Sequence, residues 1–166
     1  PPSSYALVHQ TYFEGQKRGV FSFCMCPGGF IVPAATAPGA LVVNGMSPSR
    51  RNSKYANSGI VAAVEIEALS DFHDKEELAA MNFQSAIEQL ACEHAGGTQV
   101  APAQRLVDFV NGKVSNELNP TSYQPGLVSI QMSEVLPPFI SARLKEAFKA
   151  FGKKMKGYYT NEAQIL

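Results

Sequence analysis

The hydrophobic period of this chain changes once, between residues 66 and 74, and that change decides what it can fold into. Before it, apolar and β-branched residues come in short runs separated by glycine, proline and polar residues, which is the pattern of strands joined by tight turns. "YALVHQTYF" is followed by the polar turn "EGQKRG", and "VFSFCMC" by "PGG". "FIVPAA" is followed by "APG", "ALVVNGM" by the loop "SPSRRNSKYANS", and the nearly continuous apolar run "GIVAAVEI" reads as a buried strand. Five strands with short connections predict an antiparallel sheet or a small barrel over residues 5–66. Pro33 lacks an N–H and belongs at an edge or a bulge.

After the change the period is helical, over residues 74–156. Asp74 and Glu77 have the spacing of a capping box. Phe83, Ala86, Ile87, Leu90 and Ala91 then share one helix face, and Gly96 and Gly97 end the helix. A second helix is expected to start at Pro102, to bury Leu106, Val107, Phe109 and Val110, and to close at Gly112. "KVSNELNPTSYQPG" reads as a surface crossing. A third helix starts near Pro137 and Pro138 and carries Ile140, Leu144, Ala147, Phe148 and Phe151 inward, with lysines gathered toward its C-terminal end, where they suit the helix dipole. Strands first and about three helices after make an α+β domain. The alternation of strand and crossover helix in a Rossmann fold is missing.

Length and charge narrow the function classes. With 166 residues, 45% hydrophobic and 17% charged, one domain with its own core is expected. Lys plus Arg and Asp plus Glu are 14 each, so there is no general attraction to nucleic acid or acidic lipid. No apolar run reaches the roughly 20 residues of a membrane helix. "PPSSYALVHQ" lacks the basic and apolar regions of a signal peptide. Three cysteines, an odd number, argue against a disulfide framework and for a reducing, cytoplasmic setting. The chain starts without Met and stops at "NEAQIL", as a piece of something longer would.

Chemistry-bearing residues are sparse. Cys24 and Cys26, one residue apart in a strand, would share a face with Ser22, opposite Phe23 and Met25. Zinc sites favour Cys-x2-Cys pairs, and Cys92 and His94 lie on a helix facing elsewhere, so no metal site is expected. Buried cysteine acting as a small hydrophobe, a redox-active pair, and the wall of a ligand site all remain open. The turn Cys26-Pro27-Gly28-Gly29 could admit a ligand close to the backbone or be a plain hairpin. The loop after the fourth strand gathers Asn44, Ser47, Ser49, Arg50, Arg51, Asn52 and Asn57, donors able to hold a carboxylate or phosphate, or merely a solvated connection. His9, His73 and His94 are scattered. Neither G-x-G-x-x-G nor G-x-x-x-x-G-K-[ST] occurs, and no Ser-His-Asp order or H-E-x-x-H pattern is present. No catalytic residue can be named.

Four segments, "GVFSFCMCPGGFIVPA", "GALVVNGMSPSRRNSKYANSGIVAAV", "APAQRLVDFVNG" and "LPPFISARLKEAFKAFGKKMKGY", are together similar to the middle of bacterial FAD-dependent, NAD(FAD)-utilising dehydrogenases. The resemblance runs from about Tyr5 to the end. It implies that a Rossmann-type FAD domain is built from the two ends of a longer chain and that this piece is the single domain inserted between them. FAD would then be held by the full-length parent, with little or none bound by the piece alone. Its partners would be the FAD-binding domain of the same polypeptide and a small-molecule substrate. Its job would be to cover the flavin and shape the pocket, with Cys24, Cys26, Pro27, Gly28, Gly29, Asn44, Ser47, Arg50 and Asn57 on the cofactor- or substrate-facing side. The other reading is a stand-alone α+β ligand-binding or interaction module without catalysis.

Overall fold

The computed structural model describes residues 7–166, the side chains of residues 71 and 73–76 excepted. Five strands form in the first third: β1 (Leu7–Phe13), β2 (Gln16–Pro27), β3 (Phe30–Pro33), β4 (Val43–Met46) and β5 (Ala56–Ala62). They make two antiparallel units rather than a closed barrel: a three-stranded sheet in the order β1-β2-β5, and the hairpin β3-β4. The β1–β2 connection is tighter than the polar run "EGQKRG" suggests. Phe13 pairs with Gln16, leaving Glu14 and Gly15 as a two-residue turn, both at positive φ (48° and 76°). Such a turn matches the strand twist. Pro33 ends β3 in its two-stranded hairpin, an edge position as its missing N–H demands.

A run of 3-10 turns (Ile66–Leu78) leads into α1 (Ala79–His94). The cap expected from Asp74 and Glu77 rests on an Asp74 side chain that lies outside the described residues. Gly96 (φ 88°) and Gly97 (φ 74°) end α1, the Gly97 N–H donating to the Cys92 carbonyl over 2.8 Å. The next segment differs from the sequence expectation. Residues Ala101–Arg105 form the buried strand β6, and α2 is only Leu106–Asn111. Pro102 thus lies in a strand, not in a helical first turn. Its lack of an N–H is tolerated because β6 pairs in parallel with the short β7 (Leu127–Ser129) on one side and antiparallel with β8 (Gln164–Ile165) on the other only at Gln104 and Arg105. The stretch read as a surface crossing also goes inside: Ser115, Ser122 and Tyr123 are buried.

The third helix, α3 (Pro138–Lys154), follows its apolar spacing, with Pro138 at its start and Leu144, Ala147, Phe148 and Phe151 buried. Together these elements are an α+β fold with no complete Rossmann unit. The described residues form two cores. The first lies between the inner face of β1-β2-β5 (Leu7, Val20, with Ile60 and Ala62 beside them) and α2–α3 (Phe109, Phe148, Phe151). The second joins α1 (Ala91, Cys92) to β6 (Ala101), Leu41, Tyr123 and Val135, and takes in Ile31 and Val43 of the β3-β4 hairpin. Among the described residues, no helix is long and apolar enough to cross a membrane.

Candidate functional site

The segments carrying the candidate residues meet at one end of the sheet. β2 pairs with β5 from Val20 to Phe23, then shifts register and resumes at Cys26↔Asn57 and Pro27↔Ala56. Two residues of β2, Cys24 and Met25, therefore stand opposite the single Ser58, a β-bulge, and Cys24 takes a positive φ of 51°. The bulge overturns the simple alternation expected for the two cysteines. Paired residues of a ladder point the same way, so Cys26, opposite Asn57, shares a face with Phe23, opposite Gly59, and not with Ser22. Ser22 is buried, its hydroxyl 3.0 Å from that of Tyr158 on the inner side. Cys24 is exposed and Cys26 half-buried, with the Cys26 Sγ 3.5 Å from the Cys24 carbonyl oxygen. Both are free thiols, as is the buried Cys92.

The glycines that follow are required by the chain itself. A Cβ on Gly28 (φ 65°) would stand 2.0 Å from the Arg51 carbonyl oxygen, and one on Gly29 would stand 2.6 Å from the Met46 carbonyl oxygen. On β4, a Cβ on Gly45 would meet the Asn57 Oδ1 at 2.1 Å. Thus the space on the Cβ side of these three glycines is filled by the chain's own backbone and by Asn57. Ser53 fixes the loop to the turn: its N–H donates to the Gly28 carbonyl (3.4 Å) and its hydroxyl to the Gly29 carbonyl (2.8 Å). Asn57 Nδ2 donates to the Phe30 carbonyl at 3.2 Å.

These contacts bring Cys26, Pro27, Gly28, Gly29 and Asn57 together with β4. Asn44 pairs with Val32 on the β3-β4 ladder and is exposed, as are Ser47 and Arg50. Arg50 lies on the outer part of the loop, whereas the neighbouring Arg51 (φ 46°) supplies the carbonyl that closes over Gly28. Beside this edge an apolar groove of about 490 Å³ opens, walled by Phe30, Val32, Pro33, Met46 and Pro48, with Ser47, Ser122 and Gln124 as its polar members. Pockets of that size and character suit a small or planar organic ligand. Ser122 also holds the floor, its hydroxyl accepting the Ile31 N–H at 3.0 Å.

Ser53, Met46 and Phe30 lay inside quoted segments, but only the fold distinguishes them from their neighbours. Ser122 and Gln124 come from some 90 residues away and carried no local signal. The histidines sit elsewhere: His9 is 3.0 Å from Glu146 of α3, and His94 at the end of α1 is 3.9 Å from Glu134. The His73 side chain lies outside the described residues. Among the described residues, no three His, Cys, Asp or Glu side chains converge as a metal site would need.

Comparison with known proteins adds what the geometry cannot. The chain is 42% identical over 163 residues to a protein of Clostridium beijerinckii that bears only the description "Uncharacterized protein". The match covers 97% of this chain and 30% of that relative, so the chain spans under a third of the length of the protein it matches. Residues 1–166 match, end to end, the family described as "FAD-dependent protein, C-terminal domain-like". The chain belongs to that family, and is a domain of the kind associated with FAD-dependent proteins.

Proposed function

We propose that this domain covers the flavin of an FAD-dependent dehydrogenase and forms one wall of its substrate pocket. The observation that carries the reading is the family match over the whole chain, in a domain whose relative is more than three times as long. In this reading the domain is set into the FAD-binding part of its parent, a cytoplasmic bacterial enzyme, and the electron transfer belongs to the isoalloxazine that FAD supplies.

The residues present fit a wall and not a complete cofactor site. Gly28, Gly29 and Gly45 are packed on their Cβ side against the chain itself, and no glycine-rich phosphate-binding motif occurs in the sequence. The groove beside them offers the flat apolar surfaces of Phe30 and Met46, both exposed, together with the Ser47 hydroxyl. Such surfaces exclude water from a reacting ring and orient a small organic substrate against it. Arg50 and Asn44, both exposed, supply a charge and an amide for an anionic or carbonyl group. Cys24 and Cys26 sit at the bulge that aims the turn. The rigid Gly28–Arg51 and Gly29–Met46 contacts hold this edge in place, so the wall is formed before any ligand arrives.

The test is substitution of Cys26→Ala and Arg50→Ala in the full-length parent. Displaced flavin absorbance bands or a lowered turnover in either variant are expected. Spectra and rates identical to the parent in both would remove the edge from the flavin's surroundings.

A further inference from the structure

The β1-β2-β5 sheet has a second face, and among the described residues nothing covers the row of apolar side chains on it. Its inner face is packed on α3. On the outer face Val8, Phe21 and Val61 lie side by side across three strands, since Val8 pairs with Phe21 and Phe21 with Val61. Phe23 extends the row along β2. These four are 40%, 43%, 46% and 60% exposed, in the order Val8, Phe21, Val61, Phe23. Glycines flank the rings: a Cβ on Gly19 would lie 2.8 Å from the Phe21 ring, and one on Gly59 would touch Phe23. The aromatic rings therefore lie over the glycines, and the row carries no charge. An uncharged apolar strip of this kind on a sheet is the mark of a surface that meets another protein surface.

We propose that this strip is where the domain docks against the remaining polypeptide of its own FAD-dependent parent, through an apolar face of the FAD-binding part. The inference rests on the functional reading above. The occupant follows from length: the Clostridium beijerinckii relative holds more than twice as much polypeptide outside the matched segment as within it. A domain set in a chain that long must share a boundary with the rest of it, and boundaries inside a chain bury roughly 600–1,500 Å². Register supplies the second argument. Phe23 and Cys26 share the outer face, so the apolar strip runs directly into the bulge and the Cys26–Asn57 edge. Docking by the strip would bring that edge up to whatever the rest of the chain binds.

The experiment is hydroxyl-radical footprinting of the full-length parent, read residue by residue by mass spectrometry, with flavin absorbance recorded on the same sample. Val8, Phe21, Phe23 and Val61 are expected to lose most of the labelling that their exposure here would give, while Val114, 57% exposed on the turn after α2, keeps its own. Labelling of the strip at the level of Val114 in a flavin-loaded sample would overturn the docking while leaving the functional reading standing. Protection in a sample that binds no flavin would uphold a boundary with the rest of the chain and sink the flavin reading. Protection that disappears on dilution, as sedimentation shows a dimer becoming a monomer, would assign the strip to a second copy and overturn the proposal.

Discussion

In the first third, Gly28 and Gly29 mark where the backbone runs against itself, Gly45 lies against the Asn57 side chain, and Gly15 and Gly39 have open space where a Cβ would go. Gly28 and Gly15 both have positive φ, but only Gly28 has a neighbour where a Cβ would go. Gly15→Ala should cost about 1–2 kcal/mol from the left-handed backbone alone. Gly28→Ala should cost about 1–3 kcal/mol more, because the Arg51 carbonyl must also move, and urea unfolding of the two variants compares them. "PGG" was legible as a reversal. What the second chain was, namely Arg51 of a loop some 20 residues on, was not, because local spacing does not reveal a long-range contact. Tyr123 makes the same point from the other side, since a polar-looking stretch conceals a buried phenol whose hydroxyl donates to the Gln99 carbonyl at 2.7 Å. Burial raises its pKa above 10.0. The folded chain therefore keeps this proton after the unfolded chain has released it, and the stabilisation is complete below about pH 10 and lost as pH rises beyond it. Tyr123→Phe should lower stability at neutral pH by about 0.5–1.5 kcal/mol and lose less than the parent chain as pH is raised through about 10, which unfolding midpoints across pH would record.

Elements with a long, regular pattern behave as their spacing predicts, and short ones do not. The apolar face of α3 follows from period, and five strands form in the first third. The run "GIVAAVEI", however, is not the buried strand its composition suggests: β5 is Ala56–Ala62, and it has no buried residue. Val61 is exposed because, among the described residues, only one face of the sheet is packed. β6 does not follow from period: "APAQR" has no alternation, and it is a strand because β7 and β8 pair with it and because its neighbours bury it. The bulge in β2 is likewise invisible in "FSFCMCP", since nothing local says that Cys24 and Met25 must face one residue of β5. The hairpin of β1 and β2 is tied to α3 by Glu146, Lys154 and Arg143. Glu146 meets the His9 ring and accepts the Tyr12 N–H, Lys154 donates to the Val8 carbonyl, and Arg143 alone of these reaches both strands. Arg143, 2% exposed, donates through Nη1 to the Thr11 carbonyl, the Thr11 hydroxyl and the Gln16 carbonyl, spanning both strands, and its guanidinium lies 6.0 Å from the Phe13 ring centre. Arg143→Met would keep much of the packing and remove those three bonds. A loss of about 1.5–3 kcal/mol is expected, together with faster amide exchange in β1 and β2 than in β6. Unchanged exchange in the hairpin would mean that packing and the Glu146 and Lys154 contacts hold it without Arg143.

The described residues form two cores, a glycine-locked edge beside an apolar groove, and a sheet face that none of them covers. The sequence pointed to the edge through its cysteines and glycines, but for a different reason than the one found. Those glycines do not wait for a ligand; they fix the wall against itself, and the open space lies next to them under Phe30 and Met46. The groove and the strip were not legible, because both are assembled from residues whose shared face depends on register and on contacts between distant segments. In the proposed function, a domain so arranged contributes position and shelter, while its parent supplies the seat for FAD. A crystal structure of the full-length parent with FAD bound would decide the matter. The isoalloxazine, or a substrate stacked on it, is expected against the edge formed by Cys24–Gly29, Met46–Arg50 and Asn57. A flavin that meets the α1 side of the domain instead, or lies out of reach of it, would contradict the account.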